Sequence, residues 1–545
     1  MKRLPIVAAV VALGLAVAIA IGAGRQGSGP AASQIAVGPS GAATASTPGS
    51  PAAATPGEPL PSGPDVAPSP TTGPTTIADV PIVPVTQFRT TRERTNHDEV
   101  GAILAGSSST YEALELVATE SDAILAALGE KRPTDASRLV LAPDAATLDT
   151  DLAAHRKRLA FLRADAVAPS VRALGWGNKT LFGVGGVKTV AAWGLTARLP
   201  ETAGAAFDPA KNWTLVAGGD IMLDRGVSET VKIKGKGVDF PFDGGTARIT
   251  SRYCCSSFGW NLPKTQRTGN AGAVRDLVSG ADLAIANFEN PAPDNFHYHT
   301  KGTVFSADPK LIKGLADAGI DYVGLANNHI GDAGRAGILQ TIANLRADGI
   351  VSSGAGKNAA AAHKPAILTA GGVKVAILAY DTIAKYYAAS TARAGSAILS
   401  ARALKVDVAA ARKAGADVVI VFPHWGTEYD PTPFKGQQAL ARAAIDAGAD
   451  MVIGNHAHWA GAMETYEGKP IWYALGNFVF DQTWSEPTME GMTLELTFHG
   501  ADLVQARMRP HIILDKAQPN FLDPAGDGRV VMGQVFNASK GLLDW

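Results

Sequence analysis

The chain has 545 residues and a formal net charge of -1 at pH 7. Because this length exceeds what one ordinary hydrophobic core organises, two or more folded regions are expected. The charge balance shows no basic excess and therefore excludes a typical nucleic-acid-binding protein, since phosphate binding requires clustered Lys and Arg.

The first segment has the features of an export signal. Lys2 and Arg3 precede an apolar run that extends from Leu4 to about Gly24, as in secretory signal peptides. The run is also long enough to cross a bilayer, since about 20 apolar residues suffice. We therefore predict a signal peptide or an uncleaved membrane anchor over residues 1–25. The protein is then extracytoplasmic, either secreted or anchored to the cytoplasmic membrane by this segment.

Two regions of different composition follow. Residues 26–85 are rich in Pro, Ala, Gly, Ser and Thr, which predicts a disordered tether because such a stretch buries too little apolar surface to offset its ordering entropy. Between 86 and 205 the apolar pattern returns and predicts a smaller accessory α/β domain of unknown role. The elements predicted there are a helix at Tyr111–Leu128, a strand at Leu139–Leu141 and a helix at Leu152–Leu162.

From Trp213 onward, short apolar runs alternate with helical segments, as in βα units. Three of the runs follow an Ala-Gly-Xaa-Asp sequence, in which Gly supplies the left-handed end of a helix and the next strand begins at once. The last stretch, 486–545, alternates apolar and polar residues and is expected to add strands that complete the domain. The predicted strands are Trp213–Ala217, Leu283–Ala286, Tyr322–Leu325, Val373–Ala379, Val418–Val421, Met451–Ile453, Ile471–Leu475, Met492–Phe498 and Val504–Met508.

Polar side chains follow five of these strands. In open α/β sheets, ligands bind beyond the carboxyl ends of the strands, so these groups are expected to converge. Carboxylate, amide and imidazole groups together suit Zn, Mn or Fe better than an ion that takes only oxygen ligands. The alternative for any single His is a hydrogen-bonded structural role. The residues are Asp220, Asn287, Glu289, Asn327, Asn328, His329, His424, His456 and His458.

Other residues near these strand ends are candidates for substrate binding. Arg225 follows the first strand and suits an anionic substrate, because Arg binds carboxylate or phosphate through two parallel hydrogen bonds; the alternative is a solvated loop residue. Asp381 and Asn327 are also assigned to the substrate. Trp425 either lines the pocket or packs in the core. His297 and His299, in the loop after Glu289, are either extra ligands or solvated.

The two cysteines of the chain, Cys254 and Cys255, are adjacent. In an oxidising exterior they form a vicinal disulfide, and otherwise they remain free thiols. Their loop lies between the first two polar motifs and is a candidate lid.

Six short motifs occur in a fixed order: Gly-Asp-Ile-Met-Leu (219–223), Asn-Phe-Glu (287–289), Ala-Asn-Asn-His (326–329), His-Trp-Gly-Thr-Glu (424–428), Gly-Asn-His-Ala-His (454–458) and Leu-Gly-Asn-Phe (475–478). In this order they resemble the bacterial poly-γ-glutamate capsule-synthesis proteins, which belong to the calcineurin-like metallophosphatase superfamily. The resemblance covers about 212–485. It implies a metallophosphatase-like α/β/β/α sandwich with a site for one or two divalent ions.

The resemblance also implies roles for individual residues. His329 matches the residue that assists the leaving group. Met222 stands where the superfamily usually has a ligand His, which weakens one metal site, and Asn455 replaces the first His of the family's Gly-His-His. Two ligand sets share a bridging Glu289: Asp220, Glu289 and His458 for one ion, and Glu289, Asn328, His424 and His456 for the other.

The function that the resemblance implies is that of an exported, metal-dependent hydrolase or transferase in the biosynthesis of poly-γ-glutamate or another anionic envelope polymer. The sequence does not separate this enzyme from a non-catalytic polymer-binding or assembly subunit of an envelope polymer synthase or export complex. The expected partners are an anionic polymer or phosphoester substrate, synthase subunits, and the membrane through the N-terminal segment. A purely structural metal is disfavoured by the mixed oxygen and nitrogen ligands and the low Cys content.

Overall fold

The computed structural model describes residues 76–201 and 206–545. The predicted export segment, and the tether as far as residue 75, lie outside the described residues. The described ranges belong to one unit of the chain, Thr72–Trp545, and comprise an N-terminal lobe up to about residue 200 and a larger C-terminal lobe. None of their helices is both long enough and apolar enough to cross a membrane.

The N-terminal lobe is an α/β domain built on a six-stranded sheet of order β4-β3-β5-β1-β6, in which β8 also pairs with β1. A small second sheet joins β2 and β7. The strands are β1 (Ile77–Gln87), β2 (Arg94–Thr95), β3 (Ala113–Val117), β4 (Leu139–Ala142), β5 (Arg158–Arg163), β6 (Val171–Ala173), β7 (Gly175–Trp176) and β8 (Thr196–Pro200). The helices are His97–Leu104, Ser121–Ala127, Ala145–Ala154 and Val190–Trp193.

Three of the sequence predictions for this lobe need correction. The tether ends before Ile77 rather than at 85, because the Pro-rich composition there hides the buried residues of β1. The helix predicted at Tyr111–Leu128 is instead β3 followed by a helix, since Glu115 is buried within the strand and ion-paired to Arg158. The helix predicted at Leu152–Leu162 ends at Ala154, and β5 begins four residues later.

The C-terminal lobe contains the remaining strands and helices. Its strands are β9 (Asn212–Ile221), β10 (Thr246–Tyr253), β11 (Leu262–Gly269), β12 (Leu283–Phe288), β13 (Tyr322–Gly324), β14 (Val351–Ser353), β15 (Ala355–Gly356), β16 (Ala366–Ala370), β17 (Val373–Asp381), β18 (Gly395–Ser396), β19 (Val418–His424), β20 (Met451–Ile453), β21 (Met463–Tyr466), β22 (Lys469–Trp472), β23 (Asn477–Val479), β24 (Glu490–His499), β25 (Asp502–Leu514) and β26 (Gln518–Leu522). Its α-helices are Arg225–Ser228, Ala273–Ser279, Ile312–Asp317, Gly334–Ala347, Ala359–Ala362, Ala401–Lys413, Lys435–Asp446, Glu486–Met489 and Arg529–Ala538.

Two sheets dominate this lobe. The larger has ten strands in the order β11-β10-β26-β25-β24-β9-β12-β13-β14, with β23 also paired to β9; the smaller has six in the order β16-β17-β19-β20-β22-β21. Each strand predicted from the sequence overlaps an observed strand. Gly319, Gly415 and Gly448 have φ of 87°, 87° and 100°, the left-handed conformation expected of the Ala-Gly helix ends.

The two sheets pack face to face, and helices cover their outer faces. Successive side chains of a strand point to opposite faces, so Leu215 enters the core between the sheets while Val216 packs against the helices outside. In the smaller sheet, Ile420 and Val419 divide in the same way. Burial on both faces explains why these strands are continuous apolar runs. The predicted α/β/β/α sandwich is therefore confirmed.

Candidate metal centre

The polar residues singled out in the sequence meet at one edge of the sandwich. The larger sheet contributes Asp220 from β9 and Glu289 directly after β12, while the loop after β13 carries Asn328. The smaller sheet contributes His424, the last residue of β19, and the loop after β20. Because parallel strands of both sheets end at the same edge, chemistry-bearing groups from distant parts of the chain converge there.

One cluster consists of Asp220, Glu289 and His458. One ligand atom from each lies within 4.8 Å of the others, and all three residues are buried. His458 Nε2 lies 3.6 Å from Glu289 Oε1, and its Nδ1 lies 3.4 Å from Asp220 Oδ2. A cluster of two carboxylates and one imidazole suits a divalent cation.

The second cluster consists of Glu289, His424 and His456, again within 4.8 Å of one another and buried. His424 Nε2 is 3.6 Å from Glu289 Oε1, 3.0 Å from His456 Nδ1 and 2.7 Å from Asn328 Oδ1. The three other atoms that could bind the same ion therefore all lie within 3.6 Å of His424 Nε2. The structure thus brings together both sets of residues expected from the resemblance, while their role as ligands remains a prediction.

Glu289 belongs to both clusters, and its side chain is 0% exposed. Among the described residues, neither of its carboxylate oxygens has a hydrogen-bond partner. Burial, reinforced by the negative charges of Asp220 and Glu428, raises the pKa of Glu289 well above its ordinary value. An unsatisfied buried polar group costs about 1–3 kcal/mol. A divalent cation between the clusters would satisfy both oxygens, so the residues present fit such an ion.

The neighbouring imidazoles are held neutral. Burial, followed by repulsion from His456 and His458, lowers the pKa of His424 well below its ordinary value. The same effects, with His458 as the strongest neighbour, lower the pKa of His456 to about 3. Neutral imidazole is the form that binds metals.

The backbone after β20 is not extended at the two histidines that it carries. His456 and His458 have φ of 92° and 56°, a region that costs non-glycine residues energy and occurs often at functional sites. Their rings nevertheless lie with centroids 6.1 Å apart. The two side chains therefore converge through a turn, and not through the same-side alternation of a strand.

Three buried amides orient the candidate ligands. Asn287 Nδ2 donates to Asp220 Oδ1 at 2.7 Å and lies 3.2 Å from His424 Nδ1. Asn477 Oδ1 accepts from His458 Nδ1 at 2.9 Å, which leaves Nε2 of that ring to face Glu289. Asn327, predicted to bind substrate, instead donates to Phe288 O at 2.8 Å and is fully buried. Its role is corrected to positioning the loop that carries His329.

His329 lies beside the clusters and belongs to neither of them. Its Nδ1 donates to Asp332 Oδ2 at 2.8 Å, and the same carboxylate accepts from Phe305 N and from the hydroxyl of Tyr387. The second nitrogen, Nε2, therefore stays available for a ligand. His329 lines a cleft of about 490 Å³ together with His458. This geometry suits proton transfer to a leaving group, and the catalytic role stays a prediction.

Five residues of the Phe, Tyr and Trp types contribute to the walls of the cleft, and the sequence did not reveal them. Arg225 contributes to its lining, with its guanidinium 4.8 Å from the Phe305 ring centroid and paired to Asp481. The guanidinium of Arg225, predicted to bind an anionic substrate, is therefore already paired with the carboxylate of Asp481. The other lining residues with rings are Phe258, Tyr429, Phe480 and Trp484. Aromatic residues at scattered positions carry no sequence signal of a shared wall.

Two residues assigned to the substrate lie in the interior. Trp425 is 1% exposed and donates from Nε1 to Tyr473 O at 3.0 Å within the helix-covered core of the smaller sheet. Asp381 is fully buried, and its carboxylate accepts from the backbone N–H groups of Ile383 and Ala384. Burial raises the pKa of Asp381 to about 6. Of the two alternatives for Trp425, packing in the core is the one observed, and the substrate assignment of Asp381 is corrected because its carboxylate stabilises a turn.

The remaining candidates also have defined positions. Met222 is buried in the apolar layer between the larger sheet and its helices, so its side chain serves packing. Asn455 is buried with no partner for its side-chain amide. His299 contacts Asp224 through Nδ1 at 2.6 Å, and His297 is exposed. Among the described residues, neither histidine belongs to a candidate ligand cluster.

The adjacent cysteines form a vicinal disulfide in the connection between β10 and β11. From the same connection, Phe258 contacts Trp484 with ring centroids 5.5 Å apart, and Trp260 contacts Trp459 at 6.0 Å. The predicted lid loop therefore lies beside the cleft.

Comparisons with known proteins agree with this picture. The family model described as "Bacterial capsule synthesis protein PGA_cap" matches residues 214–482. The chain is 34% identical over 220 residues to the capsule biosynthesis protein CapA of Bacillus anthracis, covering 39% of this chain and 54% of that protein. The chain thus spans about half the length of this relative. It is 32% identical over 293 residues to a probable polyglutamine synthesis accessory protein of Mycobacterium tuberculosis, covering 49% of this chain and 74% of that protein.

Solved structures are related more distantly. A calcineurin-like phosphoesterase from Bacillus subtilis aligns with a TM-score of 0.32 and 13% identity, over 61% of this chain and 97% of that chain. A 5'-nucleotidase precursor from Thermus thermophilus aligns with a TM-score of 0.33 and 13% identity, over 61% of this chain and 59% of that chain. The fold is therefore defined by its own four layers, two packed sheets with helices on both outer faces.

Proposed function

Because the chain belongs to the bacterial capsule synthesis protein family of PGA_cap, we propose that it is an exported, metal-dependent hydrolase or transferase in the synthesis of poly-γ-glutamate or another anionic envelope polymer. The proposal includes the expected location, secreted or anchored to the cytoplasmic membrane by residues 1–25. It also includes an anionic polymer or a phosphoester as substrate, and envelope polymer synthase subunits as partners.

One observation carries the enzymatic part of the proposal: a buried Glu289 without partners, shared by two clusters beside an open cleft. A structural site surrounds its ion with protein ligands, whereas a catalytic site leaves a position for water or substrate. Asp220, Glu289 and His458 would hold one ion, and Glu289, Asn328, His424 and His456 would hold the other. When bound, the metal would polarise a phosphoryl or acyl oxygen and lower the pKa of water.

The chain's own contribution to the chemistry centres on His329. Asp332 accepts from Nδ1, which fixes the ring orientation and the tautomer, so Nε2 carries the proton only when the ring is protonated. A protonated Nε2 facing the cleft can donate to the leaving oxygen or nitrogen. Such general-acid assistance contributes about 10²–10⁴-fold to the rate.

The test uses the purified full chain with bis(p-nitrophenyl) phosphate and with γ-glutamyl peptides, each with and without added Mn²⁺ or Zn²⁺. We expect metal-dependent hydrolysis of at least one substrate class. The variant His424→Ala should lose both metal and activity. The variant His329→Gln should keep the metal and lose about 10²–10⁴-fold in turnover.

The alternative is a non-catalytic polymer-binding or assembly subunit of a synthase or export complex. The word "accessory" in the name of the Mycobacterium tuberculosis relative favours it. A metal-loaded parent protein that cleaves neither substrate class, yet binds poly-γ-glutamate, would support the alternative and overturn the enzyme. Equal turnover by the parent and His329→Gln would remove the role assigned to that histidine.

A further inference from the structure

A second cavity, of about 390 Å³, lies where the N-terminal lobe meets the C-terminal lobe. It shares no lining residue with the cleft of the candidate metal centre. Its charged lining consists of six arginines and a single glutamate: Arg89, Arg156, Arg172, Arg507, Arg509, Arg529 and Glu93. So strong an excess of one charge around a single cavity calls for a counter-charge.

Two of these arginines are more than nine-tenths buried. Arg172 is 8% exposed on β6, and Arg507 is 7% exposed on β25. The Nε atom of each is buried and finds no hydrogen-bond partner in the part of the chain that the structure describes. Within residues 76–201 and 206–545, neither guanidinium forms an ion pair. Buried arginines are normally paired, because an uncompensated buried charge is costly.

Two nearby carboxylates, Glu495 and Glu93, attract Arg172 and Arg507 electrostatically, but among the described residues both form their ion pairs with Arg509. Glu495 accepts from Arg509 Nε at 2.7 Å and from Val184 N at 2.8 Å. Glu93 is largely exposed, and its carboxylate lies 3.9 Å from Arg509. Burial, with repulsion from Arg507, lowers the pKa of Arg172 to about 9. The cavity therefore holds more positive charge than the surrounding protein neutralises.

We propose that this cavity binds an oxyanion with two or more negative charges, carried on carboxylate or phosphate groups. Guanidinium groups bind both kinds of oxyanion through paired, charge-assisted hydrogen bonds. The volume suits a small molecule. Phe88, Met508 and Phe536 provide an apolar wall for a carbon skeleton.

The anion joins the two lobes. Arg172 belongs to the N-terminal lobe, and Arg507 and Arg509 project from one face of β25 in the C-terminal lobe, since they are two residues apart on a strand. A ligand that contacts both sides links the accessory domain to the domain with the candidate metal centre. This gives the N-terminal lobe a specific role: it completes an anion site.

The experiment is calorimetric titration of the full chain at constant ionic strength, with citrate as the carboxylate probe and pyrophosphate as the phosphate probe. We expect saturable one-to-one binding of at least one probe, with a Kd below about 1 mM, and a rise in Tm on binding. The stronger probe identifies the oxyanion class. If neither probe shows saturable binding, the proposal is overturned and the cavity holds only water.

Variants distinguish the site from unspecific charge. Arg172→Gln and Arg507→Gln should each weaken binding at least tenfold. Arg248→Gln is the matched control, because Arg248 pairs with Gln266 on the exposed hairpin, and it should bind as the parent does. If the buried variants do not fold, the exposed pair Arg156→Gln with Arg529→Gln should weaken binding at least threefold. Unchanged affinity in this pair, or in a folded Arg507→Gln, overturns the site.

Both probes also chelate divalent ions, so the titrations use chelator-treated protein. The variant Glu289→Gln, changed only at the candidate metal centre, should bind the anion with the parent's affinity. Loss of anion binding in that variant would assign the signal to the metal centre and refute the cavity as its source. The proposal thus stands or fails separately from the proposed enzymatic function.

Discussion

Replacing Glu289 with Gln tests the candidate metal centre most directly. The substitution keeps the size of the side chain and removes the negative charge that both clusters share. Burial raises the pKa of Glu289 well above its ordinary value and so favours its neutral form in the metal-free protein, and glutamine is neutral as well. We therefore expect the metal-free variant to unfold at nearly the same denaturant concentration as the metal-free parent.

The metal-loaded proteins should differ strongly. With free metal at 100 times its Kd, binding stabilises the parent by about 2.7 kcal/mol, following RT ln(1 + [L]/Kd). If loss of the shared carboxylate weakens affinity about 100-fold, the same concentration gives the variant only about 0.4 kcal/mol. The assay is chemical denaturation with and without Mn²⁺ or Zn²⁺, together with the metal content measured by mass spectrometry.

Glu490→Gln is the matched control. Glu490 is also buried, has one oxygen without a partner, and has a pKa raised by burial to about 8, but it belongs to neither cluster. This variant should keep the parent's metal content and metal-induced stabilisation. If Glu289→Gln binds metal as the parent does, Glu289 does not bridge two ions and the site is not the one described here.

Two further predictions concern the surroundings of the site. Asn477→Ala removes the acceptor that orients His458 and should lower metal affinity about 10–100-fold. Asn477→Asp keeps an acceptor and should retain a higher metal affinity than Asn477→Ala. Equal metal affinities of the two variants by titration would contradict this role of Asn477. Burial lowers the pKa of His511 to about 4, so the folded state favours the neutral ring. The neutral ring contributes fully to the free energy of unfolding above the unfolded-state pKa of about 6.5. This contribution is lost as the pH falls toward 4, and the loss between pH 7 and pH 5 is about 2 kcal/mol. In urea denaturation, His511→Gln should lose less stability on acidification than the parent or the exposed-residue control His297→Gln. Identical losses of stability in all three proteins would refute the effect of the buried His511.

The strands of the C-terminal lobe and the residues at their ends could be predicted from the sequence. Apolar runs such as Val418–Val421 reflect a strand buried on both faces, and that pattern is local in the chain. His424 and Glu289 follow such runs directly, so their convergence required only that parallel strands share an edge. The resemblance added which residues group around which ion.

Local patterns were less informative in the N-terminal lobe. The prolines of β1 give a buried strand the composition of a linker. The spacing of apolar residues at Tyr111–Leu128 is compatible with a helix, and only the ion pair of Glu115 with Arg158 distinguishes the strand. Such pairing depends on residues more than 40 positions away, as the register of β3 with β5 shows. Sequence periodicity does not contain that information.

The fate of individual polar side chains was decided by the tertiary structure alone. Trp425 and Asp381 both lie at the ends of strands that lead to the candidate metal centre. The Trp425 side chain nevertheless packs in the core, and the Asp381 carboxylate accepts backbone hydrogen bonds. Arg172 and Arg507 carry no motif, yet packing of the two lobes buries both beside one cavity. Chain order and hydrophobic pattern determine where strands begin and end. Burial, electrostatic environment and contacts between distant segments arise only when the lobes pack, because each depends on neighbours that the local sequence does not specify.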